Sequence, residues 1–448
     1  MSIRSNDGET WLMKLERIGM LAASDKSIVF NNIGHSLNIE MLQEIYQEQD
    51  GRKAIGIDGV TKEEYGRNLE EKLKAVLLRI RKGTYKPQAA RIVEIPKEDG
   101  STRPLAISCF EDKLIQVAVS KILCRIFEPI FLPSSFGFRS ELDCHEALRA
   151  LKQHTYRNQD GAIVEIDIRK YFNSVPHEKL MECLSKKISD RGFLRLVNAL
   201  IKSPIMINDQ ETINELGFPQ GSGTSPILAN IYLHYAIDEW FAEISKTHMK
   251  GSAAEVRYVD DMVFIFEDRR DAERFYKVLP KRLNKFGLEL HLDKSQVIGS
   301  GHRAAAKANN KGTRLKIYKF LGFVCYWGKT RKGFWRLKYA SRGDRFRTTL
   351  KRFRDFLWKN LNTANTSGVL KRVVQSVQGW INYHAISDNH GSVWKFIERC
   401  KRILLKWFNR RGGKRRMNWA RFTNILKVIK FPETWKTKSM FPSVPKQA

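Results

Sequence analysis

Apolar residues along this chain switch period several times. Between Trp11 and Gln49 they recur at helical spacing, broken near "SDKS" and "NNIGHS", and predict a helical N-terminal extension. "GIDGVTKEEY" (56–65) predicts a turn at Asp58–Gly59 and then a helix capped by Thr61, with Glu64 completing an approximate capping box. Helical spacing continues through "LEEKLKAVLLRIRKG" and stops at Gly83. Alternation takes over in "ARIVEIPKEDGSTRPLAIS" (90–108), where two strands flank an Asp-Gly hairpin turn with Lys97 and Arg103 on either side. "EDKLIQVAVSKILCRIFEPIF" then reads as an amphipathic helix ending near Pro129.

Farther along, "AIVEIDIRKYFNSV" (162–175) predicts a buried strand interrupted by Asp167, and "HEKLMECLSKKI" and "RGFLRLVNALIKS" predict helices. "GFPQGSGTSPILANIYLHYAIDEWFAEI" (217–244) predicts a loop feeding one long helix that starts near Pro226 with Ser225 as its cap. "VRYV" and "MVFIF" are strands on either side of Asp260 and Asp261. A helix, the strand "LELHLDKSQVIG" and a strand pair around "YKFLGFVCYWG" follow. From Arg342 onward the pattern is helical, in three basic amphipathic segments and a short last helix near "NWARFTNILKVI". The tail "FPETWKTKSMFPSVPKQA" has no periodicity and is expected to be loose. Irregular alternation predicts an α+β fold with an antiparallel sheet, followed by an all-α unit.

Charge changes this picture. The 448 residues carry a formal net charge of +31, and residues 301–448 hold 36 Lys and Arg against 5 Asp and Glu, so the rest of the chain is neutral. A one-sign segment containing eight of the ten tryptophans suits a nucleic acid better than a membrane surface. No apolar run approaches the length of a membrane span and "MSIRSNDGET" has no signal-peptide core, so no membrane partner and a cytoplasmic location are expected. Six scattered cysteines without a CxxC pair argue against a zinc site or a disulfide framework.

An Asp-Asp pair between strands is by itself a surface turn. Asp167, however, interrupts a strand of apolar neighbours, and a buried carboxylate needs a cation. If Asp167, Asp260 and Asp261 converge, hard oxygen ligands without His or Cys fit Mg2+, and a pair of such ions serves in-line phosphoryl transfer.

With "IVEIDIRKYFNSV", "PQGSGTSPILAN", "RYVDDMVFIF", "LHLDKS" and "FLGF" in this order, the chain resembles the palm of reverse transcriptases. Adding "GIDGV", "IPKEDGSTRPL", "DKLIQ", "SSFGFRS" and "GWINYH", it resembles bacterial reverse transcriptases of the group II intron type across roughly residues 30–430. That resemblance implies a right-hand polymerase: extension 1–50, fingers 51–160, palm 161–335, basic thumb and maturase-like helices 336–430, tail 431–448. It implies Asp167 and Asp260 as principal metal ligands, Asp261 as the auxiliary one and the Ile168 carbonyl as a backbone ligand, for two Mg2+ that Mn2+ can replace. Lys97, Arg103, Phe172, Gln220 and Lys294 match the dNTP site, Phe172 as the steric gate against a ribose 2′-hydroxyl. Gln116 and Arg139 match template-side fingers positions, and Lys351, Arg352, Arg354, Lys371 and Arg372 match phosphate contacts in the thumb.

The implied activity is RNA-templated DNA synthesis from dNTPs, with template RNA, primer or cDNA and a structured intron or noncoding RNA as partners, in the bacterial cytosol. Three alternatives share these motifs: an antiphage-defence reverse transcriptase copying a noncoding RNA, a splicing maturase that does not polymerise, and an RNA-dependent RNA polymerase. "QGSGTSP", "YVDD" and "FGFRS" depart from the commoner "QGG" pattern, "YADD" and "FGFRPGR". No Cys/His-bearing endonuclease module follows residue 430, so second-strand cleavage is not expected.

Overall fold

The computed structural model describes residues 10–96, 102–207, 210–213, 215–412 and 416–441. The chain forms two compact units, Met1–Cys144 with Val164–Phe264 and Arg270–Val297, and His145–Ile163 with Ile265–Arg269 and Ile298–Ala448. In chain order the strands are β1 (Ala90–Pro96), β2 (Thr102–Ile107), β3 (Gly161–Ile166), β4 (Pro204–Ile207), β5 (Gln210–Ile213), β6 (Ala253–Tyr258), β7 (Asp261–Phe266), β8 (Gln296–Ser300), β9 (Tyr318–Phe320), β10 (Phe323–Lys329) and β11 (Trp335–Ser341). They make three small sheets ordered β2-β1-β4-β5, β6-β7-β3-β8 and β11-β10-β9. The fold is mixed α+β.

In the first unit, the helix Phe110–Phe127 packs against the helices Trp11–Ser24 and Ile39–Glu48. The sequence pattern suggested an amphipathic helix, but its buried residues, Phe110, Asp112, Leu114, Ile115, Gln116, Ala118, Val119, Ile122, Leu123, Ile126 and Phe127, cover well over half of its circumference. It is an interior helix. Thr61 caps Lys62–Gly66 in a full capping box with Glu64, and Gly83 ends Leu69–Lys82 in the left-handed region, as the sequence predicts.

The first sheet is not purely antiparallel. β1 pairs with β2 antiparallel from Arg91↔Ile107 to Pro96↔Thr102, but with β4 in parallel at Ala90↔Ile205 and Arg91↔Met206. The β4–β5 hairpin creates that contact, and its mostly polar, exposed β5 gives no alternating signal by which sequence could find it. The helix expected across 226–244 is also interrupted: Ser225–Leu233 passes into a π-helical turn, His234–Asp238, before Glu239–Thr247 resumes. Its N-cap is Thr224, while the Ser225 hydroxyl instead donates to the Pro219 carbonyl at 2.8 Å.

In the second unit, the helices Gly343–Lys359, Thr366–His384, His390–Arg411 and Trp419–Val428 share a core that includes Phe353, Leu357, Val377, Phe396, Trp407 and Phe422. "GWINYH" is packing: Trp380 stacks on Phe396 at 3.8 Å and on His384 at 4.2 Å, and the Tyr383 hydroxyl donates to the Leu321 carbonyl. Burial pushes His384 down to about 4, so it is neutral. The tail corrects an expectation, since Phe431 and Met440 are buried and Lys438 bridges to Ile386. Two widely spaced anchors without periodicity hold residues 431–440. Among the described residues no helix is long and apolar enough to cross a membrane.

Candidate active site

Asp167 stands just past the end of β3, half-exposed, and not inside the strand as its apolar neighbours suggested. Its backbone N–H donates to Ser295 Oγ at 3.1 Å and its carbonyl accepts from the His291 N–H at 2.8 Å. Ile168 follows, buried, in an isolated antiparallel bridge with Leu290. The strand end is thereby tied to the segment carrying Lys294, whose Nζ lies 3.8 Å from Asp167 Oδ2.

The facing hairpin joins β6 and β7. Its turn residues are Val259 and Asp260, one position earlier than the paired aspartates suggested, so Asp261 opens β7. Val259 has a φ of 57°, rare for a β-branched residue, and a positive φ at only the first loop position is the sign pattern of a type II′ turn. Gly137 explains how this is tolerated from outside: a Cβ there would stand 2.6 Å from Val259 Cγ2 and 2.8 Å from its nitrogen. The "FGF" segment thus lies directly on the turn.

Burial, and then the neighbouring Asp167 charge, push the Asp260 carboxyl above its ordinary range, while Arg103 and Arg257 pull it back. Two facing carboxylates and a β2 guanidinium therefore share one electrostatic neighbourhood. Among the described residues, no three His, Cys, Asp or Glu side chains gather as a metal cage. Asp260 is the second residue of the turn and Asp261 the first of β7, directly beside it in the chain. The repulsion between Asp167 and Asp260, whose donors are hard oxygens, fits a hard divalent cation.

On the substrate side, Phe172 is half-buried and packs edge-on against Tyr171 and Phe218, with centroids 5.4 and 6.1 Å away. Its carbonyl accepts the Phe218 N–H at 2.8 Å. Gln220 donates from Nε2 to Asn173 Oδ1 at 3.1 Å, and its carbonyl accepts the Ala106 N–H of β2 at 2.6 Å. The "PQG" loop is therefore pinned to both β2 and the Phe172 turn. Gly221, at φ 107°, allows this because a Cβ would stand 2.6 Å from the Ala106 carbonyl oxygen. Gly223 meets only ordinary contacts.

Other expected residues have different surroundings. Gln116 is buried, accepting from the Gly223 N–H at 3.1 Å and donating to Ser108 Oγ at 3.0 Å, so its side chain fastens the loop from beneath. Arg139 donates to Glu128 Oε1 at 2.9 Å and to the Leu132 and Ser135 carbonyls, largely buried. Both side chains are engaged with protein groups. Lys97 lies outside the described residues. Lys351, Arg352 and Arg354 are exposed on Gly343–Lys359, and Lys371 and Arg372 are exposed on Thr366–His384.

Sequence reasoning missed Arg257. It is fully buried one residue before Tyr258, and its guanidinium forks onto Asp238 at 2.7 and 2.6 Å. A cation inside "EVRYV" was the available signal; the π-helical turn that delivers Asp238 has none.

Paired acids at a strand end and a hairpin tip, beside a glycine-bearing loop and a cation from a neighbouring sheet, are an arrangement suited to phosphoryl transfer. Residues 95–325 match the family model described as "Reverse transcriptase (RNA-dependent DNA polymerase)", and the chain belongs to that family. It is 36% identical over 224 residues to "Group II intron-encoded protein LtrA" of Lactococcus lactis subsp. cremoris, covering 49% of this chain and 37% of that protein. "Protein YkfC" of Escherichia coli (strain K12) is 30% identical over 302 residues, covering 58% of this chain and 78% of that protein. "Uncharacterized 91 kDa protein in cob intron" of Schizosaccharomyces pombe is 39% identical over 170 residues, or 37% of this chain and 20% of that protein. The chain thus spans little more than a third of LtrA and a fifth of the cob intron protein, and is related to the group II intron-encoded proteins.

Proposed function

We propose that this chain is an RNA-directed DNA polymerase of the group II intron type, with fingers and palm across residues 51–335 and a basic helical thumb across 336–430. The observation that carries the reading is the pair Asp167 and Asp260, electrostatically opposed and both within the family match. Asp167, Asp260 and the Ile168 carbonyl would hold the divalent ions, with Asp261 auxiliary. Bound Mg2+, or Mn2+ in its place, would lower the pKa of the primer 3′-hydroxyl and stabilise charge on the departing pyrophosphate. Arg103 and Lys97 clamp the triphosphate, since forked and flexible cations complement its oxygens. Phe172 closes the floor of the sugar site against a 2′-hydroxyl, Gln220 borders the nucleotide, and Lys294 lies beside Asp167 to meet primer or triphosphate.

Primer extension on an RNA template tests this directly. Wild type should incorporate dNTPs in preference to rNTPs, and Asp260→Ala should lose about a thousandfold or more of the rate, since the metal's charge stabilisation is worth several kcal/mol. Equal extension by the two proteins sinks the reading. Preference for rNTPs would favour an RNA polymerase instead.

A second role, binding structured intron RNA as a maturase, is favoured by the 36-to-5 excess of basic over acidic residues in 301–448 and by relatives named as intron-encoded. The two roles coexist on one chain. A noncoding RNA in place of the intron would give the same site a defence role.

A further inference from the structure

We propose that Arg257 is a positioning residue that fixes the angle at which the hairpin presents Asp260 and Asp261, an inference that rests on the polymerase reading above. Its guanidinium is fully buried and every N–H is engaged. Nε and Nη2 grip the two oxygens of Asp238, Nη2 also donates to Ser135 Oγ at 2.7 Å, and Nη1 donates to Asn230 Oδ1 at 2.9 Å and to the Val259 carbonyl at 3.4 Å. Those partners come from four places: the π-helical turn, the helix Ser225–Leu233, the segment before Gly137, and the hairpin turn itself. One planar group therefore references the turn to all the elements behind it.

The backbone repeats the arrangement. Arg257 N–H donates to the Ser134 carbonyl and the Arg257 carbonyl accepts from Phe136, each at 2.8 Å. Asn230 Nδ2 donates to the Gly137 carbonyl at 2.6 Å, and Gly137 is the residue pressed against Val259. Val259 is thus held in its left-handed conformation from both sides. A buried ion pair is close to break-even for stability against a well-packed apolar pair. Its distinctive property is the fixed geometry of a forked, bidentate contact, which a lysine does not reproduce. Here that geometry is spent on the turn that carries the metal ligand.

The test compares wild type, Arg257→Lys and the apolar double variant Asp238→Leu/Arg257→Met in the full chain. Three quantities are measured: thermal midpoint, Mn2+ binding by electron paramagnetic resonance without substrate, and active-site-titrated single-turnover extension. Positioning predicts that the double variant melts near wild type yet binds Mn2+ at least tenfold more weakly and extends at least tenfold more slowly. Wild-type Mn2+ affinity and per-site rate in the folded double variant would reduce the network to packing and overturn the proposal. Should that variant not fold, Arg257→Lys decides by the same two readouts. Failure of the polymerase reading looks different: wild type itself does not extend, and the Mn2+ measurement still decides the role of Arg257.

Discussion

Behind the hairpin of β6 and β7, Arg257 meets Asp238 in a fully buried interior, whereas on the helix Gly343–Lys359 Lys351, Arg352 and Arg354 are exposed, Arg354 lying 3.7 Å from Asp355. The first arrangement fixes direction, because a buried fork tolerates little rotation. The second supplies a field, because exposed cations on flexible stems act on phosphates collectively. Single changes near the hairpin should therefore be severe and specific. Single changes on the basic helices should be mild and additive.

The largest expected effect is at Asp260. Asp260→Asn should abolish extension, by about a thousandfold or more, yet leave the metal-free protein more stable. Burial and Asp167 raise the folded-state pKa of this carboxyl, so folding favours its protonated form. The resulting stability is present below the unfolded pKa and is lost as pH rises through the folded one. Melting in chelator from pH 4 to 8 should accordingly show the variant gaining on wild type as pH increases. A constant difference would mean that Asp260 ionises freely, and the contrast with the basic helices would lose its physical basis.

Next come the two glycines of the "PQGSG" loop. Gly221→Ala forces a Cβ onto the Ala106 carbonyl at a φ of 107°, and strain of this kind costs about 1–3 kcal/mol. The loop can escape only by releasing the hydrogen bond between Ala106 and Gln220, so KM for dNTP should rise along with the loss of stability. Gly223→Ala, meeting neighbours at 3.4 Å or more, should change neither appreciably. Equal effects at both positions would show that the loop moves as a whole.

Much of this was legible because chemistry and period coincide. The capping box at Thr61, the stop at Gly83 and the basic helices after Arg342 follow from local rules that tertiary contacts leave intact. Asp167 and Asp260 drew attention as carboxylates among apolar strand residues and through the resemblance, although the turn proved to be Val259–Asp260 and Asp167 lies beyond its strand. Gln116 and Arg139 were picked out by their resemblance to template-side positions, and the resemblance carries no sign of the protein partners they have here, the Gly223 N–H and Glu128. The π-helical turn was hidden altogether, since the apolar run "ILANIYLHYAI" has no period that separates π from α.

The smallest expected effect is on the basic helices, where Arg352 is a fair representative. It is exposed on Gly343–Lys359. If it contributes one phosphate contact, Arg352→Ala should weaken primer–template binding uniformly across sequences and lower the slope of log affinity against log salt by about one. Rate per bound complex should stay unchanged, because the side chain has no part in the carboxylate geometry. Filter binding over a salt series separates these quantities. A loss of turnover at saturating nucleic acid would move Arg352 from the field to the machinery, and an unchanged slope would remove it from the phosphate-binding surface.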